Sequence, residues 1–401
     1  MAGIIEVKDQ GKLRIYDADN SNYVDIVVPS TVSANRTITL PDASFNIPTS
    51  LIPFRNIIIN GDMSIAQRAT SKTGIGNGDS GYHTVDRFKF VESGSPSTVF
   101  TQSQSTDVPT GQGFAKSLKM DVTTADASLG ADDAIYVNTS VEGQNLQYIK
   151  KGTSSAESLT LSFWVKSNIT GTYIFEIIDR DNDRAISKSY TISSANTWEK
   201  KTITYSGDTT GTLDNDNARS FELIYWLGAG ANFSSGTLQT SWGSRTTAND
   251  AVGQVNLGDN TANEWYVTGV QLEAGTAASD FEFLPVDVNL QRCLRYYQFL
   301  CSGNSKVVEN SFYYTSSQLI TIFNLIKPMR ATPSLDQTTG TDYYKIRRLG
   351  AGDGFDDFVL DAVSTEKVIE TSSGSVSGTA GDAGWIRTNN SSAYLAFSSE
   401  L

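Results

Sequence analysis

The chain alternates. Leu159, Leu161, Phe163 and Val165 are apolar at every second position, with Thr160, Ser162, Trp164 and Lys166 in register with them. A period of two is that of a strand with one face on a core. Comparable segments at 57–60, 87–91, 117–122, 173–178, 201–205, 221–227 and 265–272 join 159–166 to give eight predicted strands. Turn clusters rich in Gly, Asp, Asn and Ser separate them. No helical period interrupts residues 53–285, so this region is read as one β-sandwich, most simply a jelly roll.

The flanks read differently. In residues 1–52, Leu13 and Ile15, then Val24, Ile26 and Val28, alternate on either side of a turn at 17–22, and 36–41 adds a short strand closed by Pro41. Fifty residues of short strands bury little alone, so this unit needs a partner. At 286–303 the period changes. Val286, Leu290, Cys293, Leu294, Tyr297, Leu300 and Cys301 recur at three- and four-residue steps after Pro285, with Asp287 in the first turn, which predicts one connecting helix stopped by Gly303. Residues 304–401 return to strands at 312–314, 319–326, 343–347, 358–363 and 393–397, with a Ser/Gly-rich loop at 371–383. The fold class is therefore mainly β: an N-terminal β unit, a sandwich, a short helix and a smaller C-terminal β-domain.

Composition narrows the function. The 401 residues carry 31 Lys+Arg against 44 Asp+Glu, a formal charge of −13, which argues against a nucleic-acid footprint. One histidine excludes multi-His metal sites and leaves His83, in a turn-like stretch, without an assigned role. Two cysteines cannot staple a scaffold. Placed eight apart on one helix, Cys293 and Cys301 would lie about 12 Å apart, beyond disulfide reach. No apolar run is long enough to span a bilayer, and the start lacks a basic stretch followed by an apolar one, so neither membrane insertion nor Sec export is expected. Thr, Ser, Gly and aromatics dominate instead, the material of strands and turns.

Candidate chemistry is sparse. Asp179, Asp181 and Asp183 have the opening spacing of a calcium loop, but Arg184 stands where the loop needs glycine and Tyr190 where it needs a bidentate glutamate, so a solvated turn is the plainer reading. Asp214–Asn217 reads the same way. Paired carboxylates for glycan hydrolysis cannot be singled out among 44 acids, no solenoid period is present, and no nucleophile elbow accompanies His83. No catalytic residue, metal or cofactor is predicted. Trp164, Trp226 and Trp265 fall in strand patterns and read as packing residues. Trp242 and Trp385 fall in loops and read as exposed contacts. Tyr343 and Tyr344 with Arg347 add an aromatic and cationic patch suited to an anionic polysaccharide.

Four ordered stretches carry a resemblance: 13–24 with Pro29, Asn35, Thr37, Leu40 and Pro41; Asn60-Gly61-Asp62-Met63-Ser64-Ile65-Ala66-Gln67-Arg68 with Asp86-Arg87-Phe88; Gly269-Val270-Gln271-Leu272-Glu273-Ala274-Gly275 with Phe281-Glu282; and Gln291-Arg292-Cys293 with Arg295-Tyr296-Tyr297, leading to Met329–Pro333 and Glu400-Leu401. Together they resemble bacteriophage tail-fibre and minor tail proteins that contain a carbohydrate-binding-module-like jelly roll. Ala66 departs from that pattern, where Trp is frequent. The resemblance implies an elongated homotrimer on the virion, assembled in the host cytoplasm. Its N-terminal unit would attach to other tail or virion proteins, and its distal β-domain would bind a host-surface glycan or protein. On that view Trp242, Tyr343, Tyr344, Arg347 and Trp385 are receptor contacts, and Leu290, Cys293, Leu294 and Tyr297 meet across the trimer axis. The mechanism is multivalent binding. A purely structural virion component (head fibre, decoration or baseplate protein) is the alternative, and a surface-polysaccharide hydrolase the third.

Overall fold

The computed structural model describes residues 13–16, 18–26, 54–373 and 376–401. It separates into two compact units, Met1–Pro48 and Thr49–Leu401. In the first, Leu13–Tyr16 and Tyr23–Ile26 pair as an antiparallel hairpin. Opposite positions share a face, so Arg14 meets Asp25, its Nε donating to Oδ1 at 2.7 Å, while its guanidinium lies 3.6 Å from the Tyr23 ring centre. The predicted strand at 36–41 lies outside the described residues.

The second unit begins with a β-sandwich, as the alternation predicts. One six-stranded antiparallel sheet runs Gly243–Ser244, Arg184–Ile192, Gly171–Asp179, Arg219–Ala229, Ala134–Glu142, Lys89–Ser93. The other runs Glu199–Tyr205, Leu159–Ser167, Glu264–Ala274, Ser117–Thr124, Val99–Ser105, Ser71–Gly76. Leu161, Phe163 and Val165 enter the core from the second sheet and meet Phe175, Tyr190 and Tyr225 from the first, with Phe163 edge-on to Tyr225 at 5.3 Å. The outer face of the first sheet is covered by the 230–256 segment, under which Trp226 is buried and donates from Nε1 to Glu176 Oε2 at 3.0 Å.

The predicted strand at 57–60 does not form. Ile57 and Ile58 are buried and Ile59 half-buried, but side chains hold the backbone. Asn60, at φ 62°, donates from Nδ2 to the carbonyls of Ile65 and Asp86, both at 2.9 Å, and its Oδ1 accepts the Ile65 N–H. Gly61 must be glycine, because a Cβ there would stand 2.0 Å from the Val270 carbonyl oxygen.

The connecting helix is shorter than predicted. It spans Val286–Cys293, and Tyr297–Ser302 is already a strand paired with Tyr394–Ser398. Asn289 on the helix donates to Asp62 Oδ1 and Ser64 Oγ, both at 3.0 Å, which docks it on the 60–68 turn. Beyond it, a three-stranded sheet (Tyr297–Ser302, Tyr394–Ser398, Ser334–Gln337) packs with a seven-stranded one around Phe323, Phe355, Phe358 and Phe397. The seven strands run Ala351–Phe355, Tyr344–Arg348, Ala383–Thr388, Val307–Thr315, Gln318–Asn324, Lys367–Ser373, Val359–Val363.

The sandwich core and the C-terminal core of this unit are joined by charge. Arg87, fully buried, bonds the Glu400 carboxylate, donates from Nη2 to the Ser140 carbonyl at 2.8 Å, and lies 3.5 Å from the Tyr296 ring centre. Arg295 grips Glu142 through Nε and Nη2 at 2.8 and 2.6 Å. Burial alone would raise the Glu142 carboxyl, but the hydrogen bonds from Arg295 and Tyr296 outweigh it and hold it below its ordinary value.

Candidate functional site: the outer face of the C-terminal sheet

Register assembles this site. Trp385 stands opposite Arg347 on one neighbouring strand and Asn310 on the other. Strand alternation sends Ile346 and Ile386 into the core, so Arg347 and Trp385 face solvent. One step along, Phe312 stands opposite Ile320 and Ala383, and Ile322 follows on the same face. Between them lies an open groove of about 610 Å³, walled by Trp385, Phe312, Ile320 and Ile322 with Glu309 and Asn310 at its side. Trp385 is 41% exposed, Phe312 37% and Ile322 43%. A contiguous apolar patch with polar groups at its rim marks a contact surface. Chemically, an exposed indole face can stack on the C–H face of a sugar ring, while Arg347, Asn310 and Glu309 offer donors and acceptors to its hydroxyls. Gly384 makes the strand approach possible, since a Cβ there would stand 2.3 Å from the Arg347 carbonyl oxygen.

Of the five residues read as receptor contacts, Arg347 and Trp385 come together here, and Trp385 is on a strand rather than in a loop. Tyr344 is corrected. It is buried, its hydroxyl donating to the carbonyls of Tyr394 at 2.8 Å and Thr338 at 3.2 Å, its ring stacked on Phe355, because even positions of its strand point inward. Tyr343 is half-buried, its ring lying over Gly340. Trp242 is also half-buried: it stacks on Phe221 at 6.0 Å and donates from Nε1 to the Ser206 carbonyl at 2.9 Å, closing one edge of the sandwich.

Three of the four residues expected at a trimer axis are corrected on the same ground. Cys293, Leu294 and Tyr297 are buried by their own chain, and Leu290 is half-buried. Tyr297 lies beneath the Arg68 guanidinium at 3.5 Å and donates to Asp336 Oδ2 at 2.7 Å. Both thiols are free and buried, and burial pushes each of them up. They reach that state on a helix and a strand, not on one helix.

The calcium-like loop has a tenant. The Lys151 ammonium reaches Asp179 Oδ2 at 2.5 Å, Asp208 Oδ2 at 3.1 Å, and the carbonyls of Thr210 and Gly211 at 3.0 and 2.8 Å. Arg184 adds two bonds to Asp208. Burial of Asp208 is outweighed by Arg184, the Thr210 N–H and Lys151, so its carboxyl sits below the ordinary value. His83 is partly buried; burial lowers its pKa against the pull of Asp79.

The sequence reading missed Glu309, Asn310, Phe312, Ile320 and Ile322 as site residues. The available signal was the run Leu319–Phe323, in which both strand faces carry apolar side chains. It also read Trp164 as packing. Trp164 faces outward, half-buried, in a hollow of about 320 Å³ beside Lys200, Ser162, Gln112 and a three-phenylalanine cluster of Phe114, Phe281 and Phe283.

No family model matches the sequence, and no curated relative does. Among solved structures, the enzymatically active domain of tailspike protein 4 from bacteriophage CBA120 is similar over 56% of this chain and 22% of its own length, at 14% identity and a TM-score of 0.31. A putative sugar-binding protein from Bacteroides thetaiotaomicron is similar over 55% of this chain and 99% of its own, at 11% identity and a TM-score of 0.29. The family 11 carbohydrate-binding module of a Clostridium thermocellum cellulosomal cellulase is similar over 53% and 98%, at 13% identity and a TM-score of 0.26.

Proposed function

We propose that this chain is a non-catalytic glycan-binding adhesin. The observation that carries the reading is Trp385: an exposed indole on a rigid sheet, with Arg347 and Asn310 fixed on either side of it by strand register. Sites on strands hold their side chains closely in place, which suits recognition by stacking and a few polar contacts. The sequence resemblance to bacteriophage fibre proteins supplies the setting. There the chain is a virion attachment protein whose 1–52 unit joins the particle, and several associated copies, three in the homotrimer, turn weak contacts into avidity.

The test is equilibrium binding of purified full-length chain to host-surface oligosaccharides, compared with Trp385→Ala. Wild type is expected to bind and the variant to bind at least tenfold more weakly, about 1.4 kcal/mol, with an unchanged melting temperature. Unaltered binding by the variant, or no glycan binding by wild type, overturns the reading. The second reading, a structural virion component, is favoured by Ile320 and Ile322, which suit a protein surface better than a sugar. Association of copies that Ile322→Asp abolishes, without glycan binding, is its signature.

A further inference from the structure

Where the sandwich, the helix Val286–Cys293 and the C-terminal domain meet, a second cavity opens, of about 490 Å³. Its chemistry differs from that of the Trp385 face. Arg292, Arg295 and Lys327 all line it, in a chain whose net charge is −13. Arg295 is neutralised by its paired bonds to Glu142. Arg292 is not. Among the described residues no carboxylate lies within 4 Å of it, and its one hydrogen bond is a long one, from Nη2 to the Asn56 carbonyl at 3.4 Å. Lys327 likewise donates only to a neutral group, the Gln291 carbonyl, at 3.1 Å. The nearby Glu282 carboxylate is occupied, accepting the N–H groups of Phe54 and Asn56 at 2.9 and 3.0 Å, with Arg55 beside it.

A half-buried guanidinium with no carboxylate in direct contact is costly: Glu282 acts on Arg292 only from beyond salt-bridge distance, and burial outweighs it and lowers the Arg292 pKa. The cost is recovered when an anion enters. The remaining wall offers the Tyr148 ring and hydroxyl and the amides of Gln144 and Asn145, groups suited to a hydroxylated ring rather than a bare ion. The volume lies within the range of small-molecule sites.

We propose that this cavity binds an acidic saccharide unit, its carboxylate held by Arg292 and Lys327 and its ring against Tyr148. Guanidinium and carboxylate match in a planar, two-bond fork. The sugar class rests on the glycan-binding reading above. The negative charge is argued from the cavity alone.

The experiment is calorimetric titration of the full chain with a galacturonate trisaccharide, its neutral galactose counterpart, and inorganic sulfate. The acidic trisaccharide is expected to bind at least tenfold more tightly than either of the others, and to weaken as salt rises. Arg292→Gln is expected to lower its affinity tenfold or more, and Lys327→Gln severalfold. If Arg292→Gln does not fold, the exposed-end change Lys327→Gln carries the test. Equal binding of the neutral sugar, or no loss in either variant, overturns the proposal. Sulfate binding as tightly overturns the saccharide assignment. Failure of galacturonate alongside Trp385-dependent binding of neutral glycans overturns this inference and leaves the adhesin reading standing.

Discussion

Replacing Glu400 by alanine should loosen the C-terminal domain from the sandwich. The Glu400 side chain is 7% exposed and the Arg87 side chain it bonds is 1% exposed, so the variant leaves a buried guanidinium without its counter-charge. Breaking one side of such a pair costs about 3–5 kcal/mol. Arg87 keeps the Ser140 carbonyl and the Tyr296 ring, and Arg68, 3.3 Å from Glu400, keeps the Tyr297 ring. The lower end, about 3 kcal/mol, is therefore expected. At roughly 2 °C per kcal/mol for a large domain, the melting temperature falls by about 6 °C. Calorimetry reads the fall, and limited proteolysis reads earlier cleavage within 276–285, the segment between the last sandwich strand and the helix. Glu400→Gln, which keeps a hydrogen-bond acceptor, should lie between. The double change Arg87→Met with Glu400→Leu should recover most of the loss, since an apolar pair can replace a buried ionic one. A Glu400→Ala protein that melts within about 1 °C of wild type would refute the reasoning.

Two further outcomes are expected. Asp86 is pushed up to about 6 by burial, against the hydrogen bonds from Gln67. The unfolded carboxyl ionises near 3.8, so the folded state binds the extra proton between those values, and stability falls as pH rises through that window and is level above it. Asp86→Asn should remove this slope, worth at most about 3 kcal/mol; a denaturant series at pH 4, 5, 6 and 7 that shows the same slope in both proteins would contradict the assignment. Lys151→Met should lower the urea midpoint by about 3 kcal/mol equivalent, because Asp179 loses the ammonium that contacts it while Asp208 retains Arg184; an unchanged midpoint would show that the ammonium is not holding these loops.

The strand 159–166 was legible because one face enters the apolar core while the other, though also covered, carries mostly polar side chains, which is what a period of two reports. The helix was legible only to Cys293. Residues 294–301 keep the same apolar spacing, but 294–296 form a turn, and only pairing with Tyr394–Ser398, far along the chain, makes Tyr297–Ser302 a strand. Apolar spacing also cannot tell whose surface covers it, so Cys293, Leu294 and Tyr297 read as an interface between chains when they are covered by their own. At 57–60 Ile57 and Ile58 are buried as expected, but the Asn56 side chain takes the N–H groups of Ile58 and Leu272 that a ladder would have used. Trp385 sits among glycines that read as a loop, whereas Gly384 is where the neighbouring strand's backbone passes. Arg347 and Trp385 were each visible as candidates. Their adjacency, and the isoleucines beside them, depend on register, which no local pattern encodes.

The Lys151 ammonium has a consequence for how the molecule meets its surroundings. A cation that arrives as part of the polypeptide cannot be depleted, exchanged or stripped. The oxygens of Asp179, Asp208, Thr210 and Gly211 are gathered as the chain folds, whatever the calcium level of the medium, and a chelator has nothing to remove from this end of the sandwich. The loops it ties are thus as durable in a calcium-poor environment as in a rich one.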